Sequence, residues 1–244
     1  METLPQPTPR ADTNTNTAAA IAAPAQTLGE QPRTRLNKLH RWSGVTLAMF
    51  IGLHLCTHLF ALVSIQANIE AMRLARLVYR NPFVEVILLL AVVTQVVSGI
   101  QLVCRARTQG GLRGMLGALP AWERLRVFSG LYVAFFLLAH TFATVILGRK
   151  VMHVDTNFYF GSYVLVMIPM FYLPYYALGV ISVFAHIASV HRTKIAAHIG
   201  LKQATAHAWV IIVLGVVVTT LILLGYGGAL YQIDFPKEYR LFSK

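Results

Sequence analysis

Five stretches of this chain are so apolar and so long that only a lipid bilayer suits them. They fall near residues 43–65, 81–104, 125–147, 162–190 and 206–227. A helix needs about 20 residues to cross a hydrocarbon layer of about 30 Å, and each stretch is long enough. Lipid offers no partner to a backbone N–H or C=O, so a spanning segment must satisfy its own polar groups, as a helix does. The stretches lack the alternation of barrel strands and carry small residues at close spacing, which suits helix–helix contact. Only 12% of the 244 residues are charged, about half the share usual in soluble domains. The expected fold is an all-α integral membrane protein with five transmembrane helices. Pro169 and Pro174 stand in the fourth stretch and predict a kink, or a separate short helix, at its start.

The flanks divide the chain further. Residues 1–38 are rich in Pro, Thr, Ala and Gln and read as a disordered tail. Residues 39–230 form the membrane domain, and residues 231–244 a short C-terminal tail. The first tail has no continuous apolar core of the signal-peptide kind. Arg10, Arg33 and Arg35 suit a transit sequence, but Glu2, Asp12 and Glu30 argue against one, so the first span is expected to act as an uncleaved insertion signal. The net charge of +12 does not point to nucleic acid. The Lys and Arg residues are scattered through every loop, as flanks facing anionic lipid are. Thirteen of the 21, with Arg126 counted at the loop edge, lie on the side of the N-terminal tail, against eight on the other side. That bias predicts a cytoplasmic N-terminus, with a bacterial inner membrane as the expected location.

Inside the spans a motif occurs twice. Ser43-Gly44 is followed by His54, and Ser129-Gly130 by His140, at the same interval of ten residues from the glycine. Spans one and three run the same way, and an equal rise of about 15 Å along each axis brings the two imidazoles to one depth. An imidazole in mid-membrane is costly and usually functional. A single one is plainly read as a group hydrogen-bonded to a neighbouring carbonyl; the matched pair favours two ligands of one object, haem iron first. Gly44, Gly52, Ser129 and Gly130 are candidates for letting a macrocycle approach the backbone. His58 lies one turn beyond His54 on the same face and is either the ligand or its neighbour; Thr144 at the equivalent place in span three favours His54.

The duplication extends to spans two and four, where Gln95 precedes Ser98 as His186 precedes Ser189. A duplicated two-helix unit forming a four-helix haem-binding bundle, with one extra helix, is therefore expected. His186 is a weaker candidate for cofactor contact, because its counterpart Gln95 is a poor haem ligand. His191, His198 and His207 are expected at the interface, and His153 in a short loop. Phe158, Tyr159, Phe160 and Tyr163 read as an interfacial aromatic belt. Cys56 and Cys104 are the only cysteines, too few to hold an iron–sulfur cluster. No Gly-rich nucleotide loop is present, so nucleotide or hydride chemistry belongs to another polypeptide. Glu85, the only carboxylate inside a predicted span, is a candidate for proton exchange with a quinol.

Leu39-His40-Arg41-Trp42-Ser43-Gly44 resembles the H-R-x-S-G motif that opens the first span of membrane-anchor cytochrome b subunits of succinate dehydrogenase. The five-span layout with His54, Gln95, His140 and His186, spaced by 41, 45 and 46 residues, resembles the single-chain dihaem anchors of succinate dehydrogenase and fumarate reductase. The resemblance covers about residues 36–227. It implies a haem-binding subunit that passes electrons between membrane quinone and partner flavoprotein and iron–sulfur subunits, and is not an enzyme alone. It pairs His54 with His140 at an outer haem and Gln95 with His186 at an inner one. Since Gln95 replaces a ligand, one haem b is expected, at the outer position. By the same resemblance Arg41 and Asn37 lie near an inner quinone pocket, and His40 at a haem propionate; Arg41 reads equally as a basic flank. The alternative is a sensory or structural membrane module that kept the duplicated bundle and lost respiratory coupling. A transporter is disfavoured because the predicted spans lack paired charges.

Overall fold

The computed structural model describes residues 35–108 and 119–240. In chain order the helices are α1 (Arg35–Leu59), α2 (Ile65–Tyr79), α3 (Pro82–Thr108), α4 (Ala121–Thr141), α5 (Phe158–Met167), α6 (Pro169–Ile199) and α7 (Leu201–Tyr226). A 3-10 turn, Phe60–Leu62, continues α1, and a π-helical segment, Phe142–Val151, continues α4. Among the described residues, five helical runs are long and apolar enough to cross a membrane: Arg35–Leu62, Pro82–Arg105, Ala121–Val151, Pro169–Ile199 and Leu201–Tyr226. Among the described residues there is no strand.

Most of the first tail lies outside the described residues, but Arg35–Lys38 are helical. Span one thus begins eight residues before the apolar stretch. Hydropathy marks where lipid begins, whereas a helix keeps winding into the headgroup layer as long as its backbone bonds continue.

Consecutive spans pack side by side, α1 on α3, α3 on α4, α4 on α6 and α6 on α7, and α7 returns to α1. The fifth span therefore closes a ring around the duplicated pairs. Close approach depends on small residues, since lipid tails supply no hydrophobic force between helices. Ala204 and Ala208 of α7 are fully buried, a Cβ on Gly215 would run into Phe184, and one on Gly225 would lie 2.9 Å from Ala61 Cβ. Large apolar side chains point outward instead, among them Met49, Phe83, Val93, Phe135 and Met170. That inverted surface is what a protein solvated by lipid presents.

Two shorter α-helices, α2 and α5, are also among the described residues. Ser64 caps α2 by accepting from the Ala67 N–H at 3.0 Å. Its apolar face buries Asn68, Met72 and Ala75, one turn apart in succession. Before Pro169 the backbone leaves the helical region at Ile168 (φ −132°, ψ 58°), as a residue preceding proline prefers, so α5 is a separate helix. Asn157 caps it through the Tyr159 N–H. Phe158, Phe160 and Tyr163 are buried in the protein and do not form the expected interfacial belt: α5 folds inward and packs its rings against Tyr226 and Phe235. Gly200, with φ +82°, is the single residue joining α6 to α7, a conformation open to glycine at little cost.

Candidate functional site

The repeated motif is longer than its first reading. Phe50 stands four residues before His54, and Phe136 four before His140, each one turn away on the same face. Phe50 stacks on His54 with centroids 5.5 Å apart and ring planes 19° from parallel. Phe136 stacks on His140 at 5.3 Å and 13°. A tyrosine edge meets each imidazole from outside the motif, Tyr79 of α2 at 6.5 Å from His54 and Tyr176 of α6 at 6.2 Å from His140. The halves are thus matched in their contacts as well as in sequence.

His54 and His140 face each other across the ring, with centroids 6.0 Å apart. They line a cavity of about 240 Å³ whose walls also include Leu47, Leu137, Val180 and Ile222. Two imidazoles bonding one metal at about 2.0 Å each would have centroids roughly 6.3 Å apart, so the pair stands near the spacing of two ligands on one ion. Among the described residues, no three or more His, Cys, Asp or Glu side chains gather to hold a bare ion.

The hydrogen bonds around His54 fix its tautomer. Asn68 donates through Nδ2 to the Thr57 carbonyl at 2.8 Å, which turns its Oδ1 toward Tyr226. The Tyr226 hydroxyl donates to that oxygen at 3.0 Å and so accepts from His58 Nδ1–H at 2.5 Å. His58 Nε2 is then the lone-pair nitrogen, and His54 donates to it through Nε2–H at 3.0 Å. His54 Nδ1 is left with its lone pair, buried and without a hydrogen-bond partner. An unsatisfied polar atom in such a place costs about 1–3 kcal/mol.

The second pair differs. His40 donates through Nδ1 to the Ser98 hydroxyl at 2.9 Å, since that hydroxyl gives its own proton to the Thr94 carbonyl. Gln95 Nε2 donates to His40 Nε2 at 3.2 Å, and Ser43 Oγ donates to Gln95 Oε1 at 2.7 Å. His186 Nδ1 donates to the Arg126 carbonyl at 3.1 Å. The glycines beside these groups are covered: added Cβ atoms would lie 3.3 Å from Gln95 at Gly44, 3.3 Å from His40 at Gly99, and 3.0 Å from His186 at Gly130. Side chains occupy the places where a macrocycle would have to approach the backbone.

Of the proposed quinone contacts, Glu85 lines the cavity and pairs with Arg149 at 2.6 Å. Both lie within spans, so a paired charge exists where none was expected; the sequence reading ended span three two residues before Arg149. Arg41 is exposed and lies over the Trp42 ring, and Asn37 is partly buried near the start of α1; neither lines this cavity. Arg76 and Arg80 of α2 complete the polar wall beside Glu85 and Arg149. Burial, with Arg76 alongside, holds Arg80 below the ordinary guanidinium value, against the opposing pull of Asp155. Cys56 and Cys104 are exposed and unpaired.

Sequence reading missed Phe50, Phe136, Tyr79, Tyr176, Asn68, Arg76, Arg149 and Tyr226. The two phenylalanines were visible as an extension of the repeat. Tyr226 is separated by more than 150 residues from its hydrogen-bond partners His58 and Asn68, and no local pattern marks it. No family model, curated protein or solved structure matches the chain.

Proposed function

We propose that this chain is a haem b membrane-anchor subunit of a succinate dehydrogenase or fumarate reductase-like complex, passing electrons between a partner iron–sulfur subunit and membrane quinone. The observation that carries the reading is the His54–His140 pair, 6.0 Å apart by ring centroids across an apolar cavity between parallel spans. Two protein ligands suit an iron whose other four positions are filled by a macrocycle. The unpartnered Nδ1 of His54 also suits a site completed by a ligand. Bound haem would supply one-electron chemistry.

The chain's own residues supply the rest. His54 and His140 would hold the iron, and Phe50 and Phe136 fix the imidazole planes by stacking. Glu85, paired with Arg149, stands at the polar wall as the candidate for proton exchange with a quinol. The other pair does not suit a second haem. Gln95 has both amide groups engaged, and the His40 lone pair is occupied by Gln95. One haem per chain is the expected stoichiometry. The flavoprotein and iron–sulfur partners and the cytoplasmic N-terminus belong to the same proposal.

The test is a reduced-minus-oxidised spectrum of the detergent-purified chain with haem counted per polypeptide, for the wild type, His54→Ala and His140→Ala. One low-spin haem b, absent from both variants, is the expected result. Two haems would refute the closed second site. No haem, from cells well supplied with it, would refute the cytochrome reading and favour a structural or sensory module.

A further inference from the structure

Three guanidinium groups line one wall of the cavity, those of Arg76, Arg80 and Arg149. Arg149 is matched by Glu85 through Nη1 at 2.6 Å and Nη2 at 3.3 Å. Arg76 and Arg80 must share a single carboxylate, that of Asp155. Arg76 Nη1 donates to it at 2.9 and 3.1 Å, and Arg80 Nη2 at 3.2 Å. Their remaining bonds go to neutral oxygens, the Thr156 carbonyl at 2.9 Å and the Thr156 hydroxyl at 3.1 Å. Arg76 Nε is buried and has no hydrogen-bond partner. The wall therefore carries three cations and one anion, with Asp155 the only other carboxylate bonded to them among the described residues, and one guanidinium N–H is unsatisfied in a chamber whose other walls are mostly apolar.

The two guanidiniums share one half-exposed carboxylate, and the buried Arg76 Nε–H still lacks an acceptor, so a further anion at this wall would be favoured. Asp155 does not itself line the chamber, whereas Arg76 and Arg80 do. Arg76 lies three residues before Tyr79 on the same face of α2, and the Tyr79 ring touches His54 at 6.5 Å. The cations thus stand at the rim of the chamber that the imidazole pair occupies.

We propose that Arg76 and Arg80 form a carboxylate-binding subsite, which takes the acidic groups of an amphipathic ligand whose apolar body lies between the spans. This rests on the haem reading, in which the carboxylates are the two propionates, and it fixes which way the macrocycle points: acidic edge toward α2 and the loop of residues 152–157. Planar, bidentate guanidinium donors are well matched to carboxylates, and lysine would not replace them equally.

The experiment titrates the full chain, produced without haem and held in mild detergent, with iron protoporphyrin IX and separately with its dimethyl ester. Binding is read from the Soret band and from tryptophan quenching. The wild type is expected to bind the diacid at least about 10-fold more tightly than the diester, as charge-assisted pairs require. Arg76→Gln/Arg80→Gln should lose that preference while binding the diester as the wild type does. Equal affinities for the two porphyrins in the wild type, or a preference kept in the double variant, would overturn the subsite and leave the haem reading intact. Binding of neither porphyrin by the wild type would overturn both. Oleate is the arm for a lipid source: displacement of the diacid by oleate at equal concentration would overturn the assignment to haem. The comparison of porphyrins in the wild type needs no variant to fold.

Discussion

Gly179→Ala is a one-carbon test of how the imidazole pair is held. A Cβ at this position would lie 2.8 Å from Phe136 Cγ and closer still to Cε2, inside the ring rather than at its tip. The ring cannot simply swing away. It is stacked on His140 at 5.3 Å, tilted against Tyr175 at 4.9 Å and edged by Tyr176 at 6.1 Å. Forcing an extra carbon into such packing costs about 1–3 kcal/mol, and the trapped ring puts this site at the upper end. The alanine returns up to about 1 kcal/mol of helix propensity, so the expected net loss is about 1–2 kcal/mol. Gly52→Ala is the control, because nothing lies within 4 Å of its Cβ position. That variant keeps the propensity gain without the clash, and should match or exceed the wild type by up to about 1 kcal/mol. The assay is unfolding by SDS in mixed micelles, followed by far-ultraviolet circular dichroism. Phe136→Leu added to Gly179→Ala should recover part of the loss in a double-mutant cycle. A Gly179→Ala protein as stable as Gly52→Ala would refute the packing argument and, with it, the claim that Phe136 positions His140.

Three further outcomes follow from hydrogen bonds, an ion pair and burial at other positions. Tyr226→Phe leaves Asn68 Oδ1 and His58 Nδ1 without their shared partner and should lower SDS resistance by about 1–3 kcal/mol; Tyr231→Phe, which loses one bond to the Ala61 carbonyl, should cost less, and the reverse order would contradict the chain of bonds. Glu85→Gln leaves Arg149 unpaired within a span and should destabilise by about 1–3 kcal/mol, whereas Glu70→Gln, whose partner Arg73 is well exposed, should change stability by less than about 1 kcal/mol; equal effects in the same assay would refute the difference. Burial raises the Tyr239 phenol above its ordinary value of 10.0. The unfolded chain therefore loses this proton first, so the contribution is present in full below pH 10 and declines as pH rises toward the higher folded value. Tyr239→Phe should flatten the alkaline limb of stability against pH, and an unchanged limb would exclude the contribution.

How much was legible depended on whether a feature repeats or is local. The five spans were readable because lipid demands long uninterrupted apolar runs, and the His54–His140 pairing because the same interval recurs on parallel helices. Pro169 announced the break that separates α5 from α6. The helix α2 was overlooked because Glu70, Arg73 and Arg76, with Arg80 just beyond it, interrupt its apolar run as a loop does in a hydropathy profile. Only the succession Asn68, Met72, Ala75 marks the buried side. The fifth span looked like an appendage because it has no counterpart in the duplication. Its role in closing the ring depends on tertiary contacts such as Gly225 against Ala61, which no periodicity encodes. The π-helical winding after His140 has no evident local signal either, although such segments often accompany functional sites. It carries Arg149 to Glu85 across 64 residues of sequence.

The meeting of His54 and His140 has an ancestral meaning. Each occupies the same position in its copy of the motif, with the same stacked phenylalanine. A contact of a residue with its own counterpart is what a twofold-symmetric dimer makes on its axis. A two-span forebear that paired with itself would have set one histidine against another with no further invention. Its mutations would have appeared in both subunits at once. Fusion into one chain removes that restriction, and the present asymmetries, His58 against Thr144 and Gln95 against His186, are changes a self-paired forebear could not have made on one side alone.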